Sequence, residues 1–162
     1  MFTEQLPFLP DSLPDYRPFP PAKERTAWQT LPQRVKDRFL QAGRDALAQP
    51  LAPLPLSLWR DFLRTGQRTP WEDAYFSRRA RLCALVCAEC VEHTGRFTDA
   101  IADTVWAICE ESAWQLPAHN SYIRDTPQLP LPDTTRPIVD LFAAETGALL
   151  ALTRYLLPDE LD

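Results

Sequence analysis

The sequence predicts an all-α fold, on three observations. Apolar residues recur at spacings of three and four along most of the chain. Start and stop signals bracket those stretches. No stretch alternates apolar and polar residues as a half-buried strand does. With 162 residues, the chain has the length of one domain or of part of a larger one. Hydrophobic residues make up 45% and charged residues 24%, which excludes a disordered tail and a low-complexity chain.

The elements follow in order. Residues 1–29 read as an extended, proline-rich arm, because seven of the 17 prolines fall in residues 1–32 and proline removes a helical donor. Its Phe2, Phe8, Leu9, Tyr16 and Phe19 predict an arm lying on a surface, since free tails carry fewer aromatics. Residues 30–162 form the helical domain. Thr30-Leu-Pro-Gln33 reads as a capping box opening a helix to about Ala48. Leu54, Leu58, Trp59 and Phe62 give a short amphipathic helix ending at Gly66. Thr69-Pro-Trp-Glu72 is a second capping box, and the helix it opens runs to about Thr94. Phe76, Ala80, Cys83, Cys87, Cys90 and Val91 are expected on its buried face, with Arg81, Glu89 and Glu92 opposite. After Gly95 a further helix covers about Phe97 to Ser112, with Ile101, Val105, Ile108 and Cys109 inward and Asp99, Asp103 and Glu110 outward. The short link makes these two helices an antiparallel hairpin.

Residues 113–134 have no period, and an ordered loop of that length is usually functional. Thr135 is expected to cap a last helix from about Arg136 to Leu157. That helix is apolar on nearly all sides and is expected to be buried on most of them. Few residues follow it, so the sequence predicts an N-terminal piece of a larger helical domain, or a chain that pairs with another.

Seventeen basic residues against 22 acidic ones leave a net charge of -5, with no Lys/Arg block. Nucleic acid is therefore not an expected partner. No segment has the length and apolarity of a signal peptide or a membrane span. The thiols Cys83, Cys87, Cys90 and Cys109 lie in apolar helical segments rather than a disulfide framework. A cytoplasmic address follows as the expectation. No phosphate-binding or metalloprotease motif is present, so no cofactor is expected. Cys83, Cys87 and Cys90, flanked by His93, share one helix face, and are read as small apolar groups rather than a metal site.

Among candidate ligand-facing residues, Trp114 can stack on a sugar ring. His119 and Asn120 can hydrogen-bond hydroxyls or a carboxylate, and Arg124 can pair with a uronate or sulfate. The competing assignment gives Trp114 and Pro117 to the core and His119 to bracing the loop backbone. Glu145 falls on the most apolar stripe of the last helix, where a carboxylate needs a partner. Gly147 is expected to allow close helix packing.

The stretch from Gly95 to Asn120, with Trp106-Ala-Ile-Cys-Glu-Glu and Trp114-Gln-Leu-Pro-Ala-His119, resembles the N-terminal α/α toroid of heparinase II/III-like polysaccharide lyases. So does Val139-Asp-Leu-Phe-Ala-Ala-Glu-Thr-Gly-Ala-Leu-Leu-Ala151. The resemblance covers roughly residues 70–162. It implies antiparallel hairpins forming part of an incomplete toroid, one wall of a cleft for an acidic polysaccharide or oligosaccharide. It also implies β-elimination as the chemistry of the whole enzyme. In that family the Asn and Tyr motifs and a further His come later in the chain, so no catalytic residue is assigned here and the chain alone is expected to be inactive. Two other readings stay open. One is a helical module that associates with itself or another protein through exposed apolar helix faces. The other is a carbohydrate-binding module without lyase chemistry.

Overall fold

The computed structural model describes residues 17–121, 127–136 and 138–161. Those residues contain six α-helices and no strand: α1 (Arg25–Gln29), α2 (Gln33–Ala48), α3 (Leu56–Thr65), α4 (Thr69–Glu92), α5 (Thr98–Cys109) and α6 (Leu141–Leu156). None is long and apolar enough to cross a membrane.

The long helix α4 is the axis of the molecule, and α1, α2, α3, α5 and α6 all touch it. Contacts fix the directions. Arg81 of α4 donates to the carbonyls of Ala46 and Gln49, whereas Arg78 reaches Ala52, so α2 runs antiparallel to α4. Arg78 reaches Ala107, Arg81 reaches Thr104 and Glu89 reaches Phe97, which makes α4 and α5 the expected antiparallel hairpin. Tyr75 meets Thr146, and His93 meets Glu160, so α6 runs parallel to α4.

Because α4 has neighbours around most of its circumference, it is not one-faced. Trp71, Tyr75, Leu82, Leu85, Val86, Ala88 and Cys90 are buried, together with Arg79 and Glu89. Phe76 and Cys83, expected inward, are exposed, and Cys87 is half-buried. Glu89, expected in solvent, is 1% exposed. Its carboxylate accepts from the backbone N–H groups of Gly95 (2.8 Å) and Phe97 (3.1 Å). These are donors that the turn between the two helices leaves without helical partners. The turn starts at His93, whose φ of 55° is the left-handed stop that glycine more often supplies.

Two apolar clusters fill the interior. The larger joins Leu82, Leu85, Val86, Ala88, Phe97, Ile101, Ile108 and Leu157, and the smaller joins Trp59, Trp71, Tyr75 and Leu116. The helices α2 and α4 come closest at Gly43, where an added Cβ would lie 2.2 Å from Ala88 Cβ. Gly147, expected to serve that purpose, has nothing within 4 Å of an added Cβ.

Other expectations are corrected. Residues 25–29 are helical rather than part of an extended arm. Arg25 explains this short helix: its guanidinium donates to the carbonyls of Ala22, Cys90 and Val91, capping the end of α4. Residues 17–24 lie against the end of α6, through Ala22 N–H to the Leu156 carbonyl and the Tyr155 hydroxyl to the Phe19 carbonyl. The arm residues Phe2, Phe8, Leu9 and Tyr16 lie outside the described residues. Thr30 closes α1 instead of capping α2. Thr69 is the first residue of α4 and makes no side-chain cap. The last helix starts at Leu141, five residues after Arg136, and Asp140 caps it. It is buried on one side only, at Thr146, Thr153 and Leu156. Glu145 is exposed and Leu141 is 59% exposed.

Candidate functional site

Three carboxylates or amides hold the chain between α5 and α6. The first is Glu111, just past α5. Arg79 of α4 grips it with two bonds, Nη1 to Oε1 at 2.8 Å and Nη2 to Oε2 at 2.6 Å, and Arg78 adds a third at 3.1 Å. Both arginine side chains are about 10% exposed and Glu111 is 5% exposed. A buried carboxylate held by two guanidinium groups satisfies the pairing that burial demands. Arg79 also lies over the Tyr75 ring, 3.4 Å from its centroid. The Tyr75 hydroxyl shares a 2.8 Å bond with Thr146 Oγ1 and reaches the Trp114 and Phe142 carbonyls. Burial pushes the Tyr75 phenol up.

The second is Asn120, 4% exposed. Its amide donates to the Leu131 carbonyl at 2.8 Å and accepts from the Asp133 N–H at 3.0 Å. Asn120 therefore fastens the 131–133 strip to the 3-10 turn over Pro117–His119. A further turn follows: Asp133 accepts from the Thr135 hydroxyl at 2.6 Å and from its N–H at 3.0 Å. The hydroxyl bond leads in holding the Asp133 carboxyl below its usual range.

The third is Asp140. One oxygen accepts from the Ala143 N–H at 2.7 Å, capping α6; the other accepts from the Leu116 N–H at 3.3 Å and meets His119 Nδ1 at 2.5 Å. The imidazole also stacks on Phe142, 5.8 Å between centroids at 14°. Its side chain is 34% exposed, against 9% for Asp140. With Nδ1 turned to the carboxylate, Nε2 is the ring nitrogen on the opposite edge. The pair thus presents an oriented imidazole at the surface.

Of the three described candidates, His119 is the one whose polar side chain is both anchored and partly exposed. Trp114 is half-buried, packs against the core, and donates Nε1–H to the Ile108 carbonyl at 2.9 Å; it is not an open stacking platform. Asn120 spends its hydrogen-bonding capacity on the loop. Arg124 lies outside the described residues, as does Tyr122. Sequence reasoning missed Asp140, because it started the last helix five residues early. The available signal was an aspartate immediately before the apolar run Leu141-Phe142, a strong capping preference.

A cleft of about 300 Å³ opens at the same end of the molecule, bounded by Trp59, Trp71, Arg78, Glu110, Glu111 and Pro132. Trp59 and Trp71 meet edge to face at 5.1 Å and form its apolar wall, whereas the arginine and the two glutamates make the other wall polar. Asn120 sets one rim, because it anchors the strip that carries Pro132. Among the described residues no group of His, Cys, Asp and Glu is arranged to hold a metal ion. The thiols do not form a reactive centre either: Cys90 is fully buried, and burial pushes it up to about 12, where thiolate is scarce. Cys83 and Cys109 are exposed, so only part of the expected set acts as core.

No family model matches this chain, and no curated protein matches it.

Proposed function

We propose that the chain is the N-terminal portion of a heparinase II/III-like toroid, and that the face carrying His119 is one wall of a cleft for an acidic polysaccharide. The observation that carries this reading is the Asp140–His119 pair. It lies in the two segments on which the family resemblance rests, and it holds a half-open imidazole in an ordered loop, next to Asn120, which anchors the strip carrying Pro132 of the cleft rim. An imidazole so fixed can donate to or accept from a sugar hydroxyl, or pair with a uronate when protonated. Further support is the investment of buried polar groups in the chain between α5 and α6, where Glu111 is gripped by Arg78 and Arg79 and Asn120 and Asp140 each brace backbone groups.

Among the described residues the arrangement supports binding and supplies no base–acid pair for cleavage. β-Elimination needs a base for the C5 proton and an acid for the leaving oxygen at one sugar linkage. Among the described residues, the other imidazole, His93, sits at the far end of α4. The 18-residue separation of Tyr75 and His93 along that helix corresponds to about 27 Å. The Tyr75 hydroxyl is sealed in the core, and Tyr155 is engaged with Phe19 near that far end.

The test is a titration of the chain with oligouronates and sulfated oligosaccharides, followed by calorimetry and by the absorbance of unsaturated uronate. Binding should weaken at least tenfold in His119→Ala with the helical circular dichroism unchanged, and no unsaturated product should form. Equal affinity in His119→Ala, or failure of every acidic glycan to bind, defeats the reading.

A further inference from the structure

Two surfaces carry charges that make no ion pair among the described residues. The first is the outer face of α5. Asp99, Asp103, Trp106 and Glu110 fall at i, i+4, i+7 and i+11, which places them within about 60° of one another around a helix. All four are exposed, Trp106 to 68%. The second is the groove between α2 and α4, about 710 Å³. Arg34 and Arg38 line it, above a floor that includes Val35, Phe39, Ala42 and Ala84. Among the described residues, neither arginine and none of the three acids takes part in an ion pair.

Some of these charges are also unfavourable where they stand, although Asp99, in the first turn of α5, is not. Arg34 is the second residue of α2, at the positive end of the helix dipole, and Arg38 one turn later repels it. Glu110 follows the last residue of α5, at the negative end. Glu111 beside it has two arginines to justify its place; Glu110 has none. Placing each set against the other offsets the Arg34, Arg38 and Glu110 penalties, and it moves a solvent-exposed indole into a trough lined by Val35, Phe39 and several small residues.

We infer that the α5 ridge of one copy of this chain docks into the α2–α4 groove of a second copy. The ridge is acidic around one large aromatic side chain, and the groove is basic around an apolar floor. The two patches are different surfaces of the same molecule, so the contact is heterologous. Each copy keeps one free ridge or one free groove, and association continues beyond the dimer unless the ring closes. The attraction is between exposed charges, so association is salt-sensitive. This goes beyond the glycan-binding reading and does not depend on it: the ridge and the groove exclude His119, and Glu110 is the one ridge residue that also lines the cleft.

The experiment is sedimentation of the 162-residue chain over a concentration series at low and high salt, with two variants. The wild type should grow in mass beyond a dimer with concentration, less so at high salt. Trp106→Ala, which lacks the ridge anchor, and Arg34→Glu with Arg38→Glu, which lacks the groove charges, should each associate at least tenfold more weakly. Mixed together, they should form a one-to-one dimer and nothing larger, since the first keeps a groove and the second keeps a ridge. The indole N–H resonance of Trp106 should shift on concentrating the isotope-labelled wild type. A wild type that stays monomeric, a Trp106→Ala variant that associates as the wild type does, or a mixture that stays monomeric overturns the inference. All three altered side chains are exposed, so unchanged helical content is the control for folding.

Discussion

Replacing Gly43 with alanine sets two opposing effects against each other. In a helix interior, Ala is favoured over Gly by about 1 kcal/mol, so a survey of propensity alone predicts a gain. The structure predicts a loss. The new Cβ would stand 2.2 Å from Ala88 Cβ and 3.3 Å from Phe97 Cε1, with the Ala84 carbonyl at 3.4 Å. Ordinary contact begins near 3.4 Å, and neither methyl group can swing aside, because each is fixed to a helical backbone. The helix α2 must therefore lift from α4 by roughly an ångström along their closest approach. Overpacking of this kind costs about 1–3 kcal/mol, and the loosened packing around the crossing adds to it. The net expectation is a loss of about 1–2 kcal/mol, or roughly 3–6 °C in Tm for a chain of this size. The companion substitution Gly147→Ala has open space around its Cβ and should keep the propensity gain, raising Tm. Thermal unfolding of both variants decides the matter. A Gly43→Ala protein as stable as the wild type, or a Gly147→Ala protein that falls as far, would refute the packing argument.

Glu111→Ala leaves the guanidinium groups of Arg78 and Arg79 buried without their shared carboxylate and should destabilise the chain by about 3–5 kcal/mol in urea unfolding; a change under about 1 kcal/mol would mean that the pair is open to water. Stability should fall as pH rises above about 9. The Cys90 thiol is held protonated in the folded state, up to about 12, whereas the unfolded thiol ionises near its ordinary value of 9.0. The unfolded state then binds fewer protons, so the slope is negative and at most about 1.4 kcal/mol per pH unit from this thiol. Tyr75 acts in the same direction at higher pH. Urea midpoints at pH 8, 9 and 10 test this, and Cys90→Ala should flatten the first part of the decline.

The fold class was legible because helices announce themselves locally. Gly66 ends α3 with φ of 75°, and the apolar repeat of residues 101–108 needs no knowledge of its partners. What one sequence hides is how many neighbours a helix has. Periodicity assumes one buried face, so it put Glu89 in water and Phe76 inside α4. A helix touched by five others inverts both assignments, and Glu89 is buried because a turn eight residues away needs acceptors. Glu145 failed for the opposite reason: α6 has neighbours on one side, so an apolar stripe does not guarantee a core. At the candidate site, His119 was readable as a polar residue in a long loop. Its partner Asp140 was not, because the pairing spans 21 residues and depends on where α6 begins. The five-residue helix at Arg25 is too short for any periodic signal, and it exists through the carbonyls of Cys90 and Val91.

Asp140 joins two events that could have been separate. One carboxylate receives both a leading amide of α6 and the ring nitrogen of His119, so the imidazole acquires its orientation when the final helix winds. A nascent chain halted before residue 140 carries the histidine without its anchor. Any motion that frays the start of α6 lets the ring turn. Readiness of the site and integrity of the last helix are thereby a single thermodynamic variable.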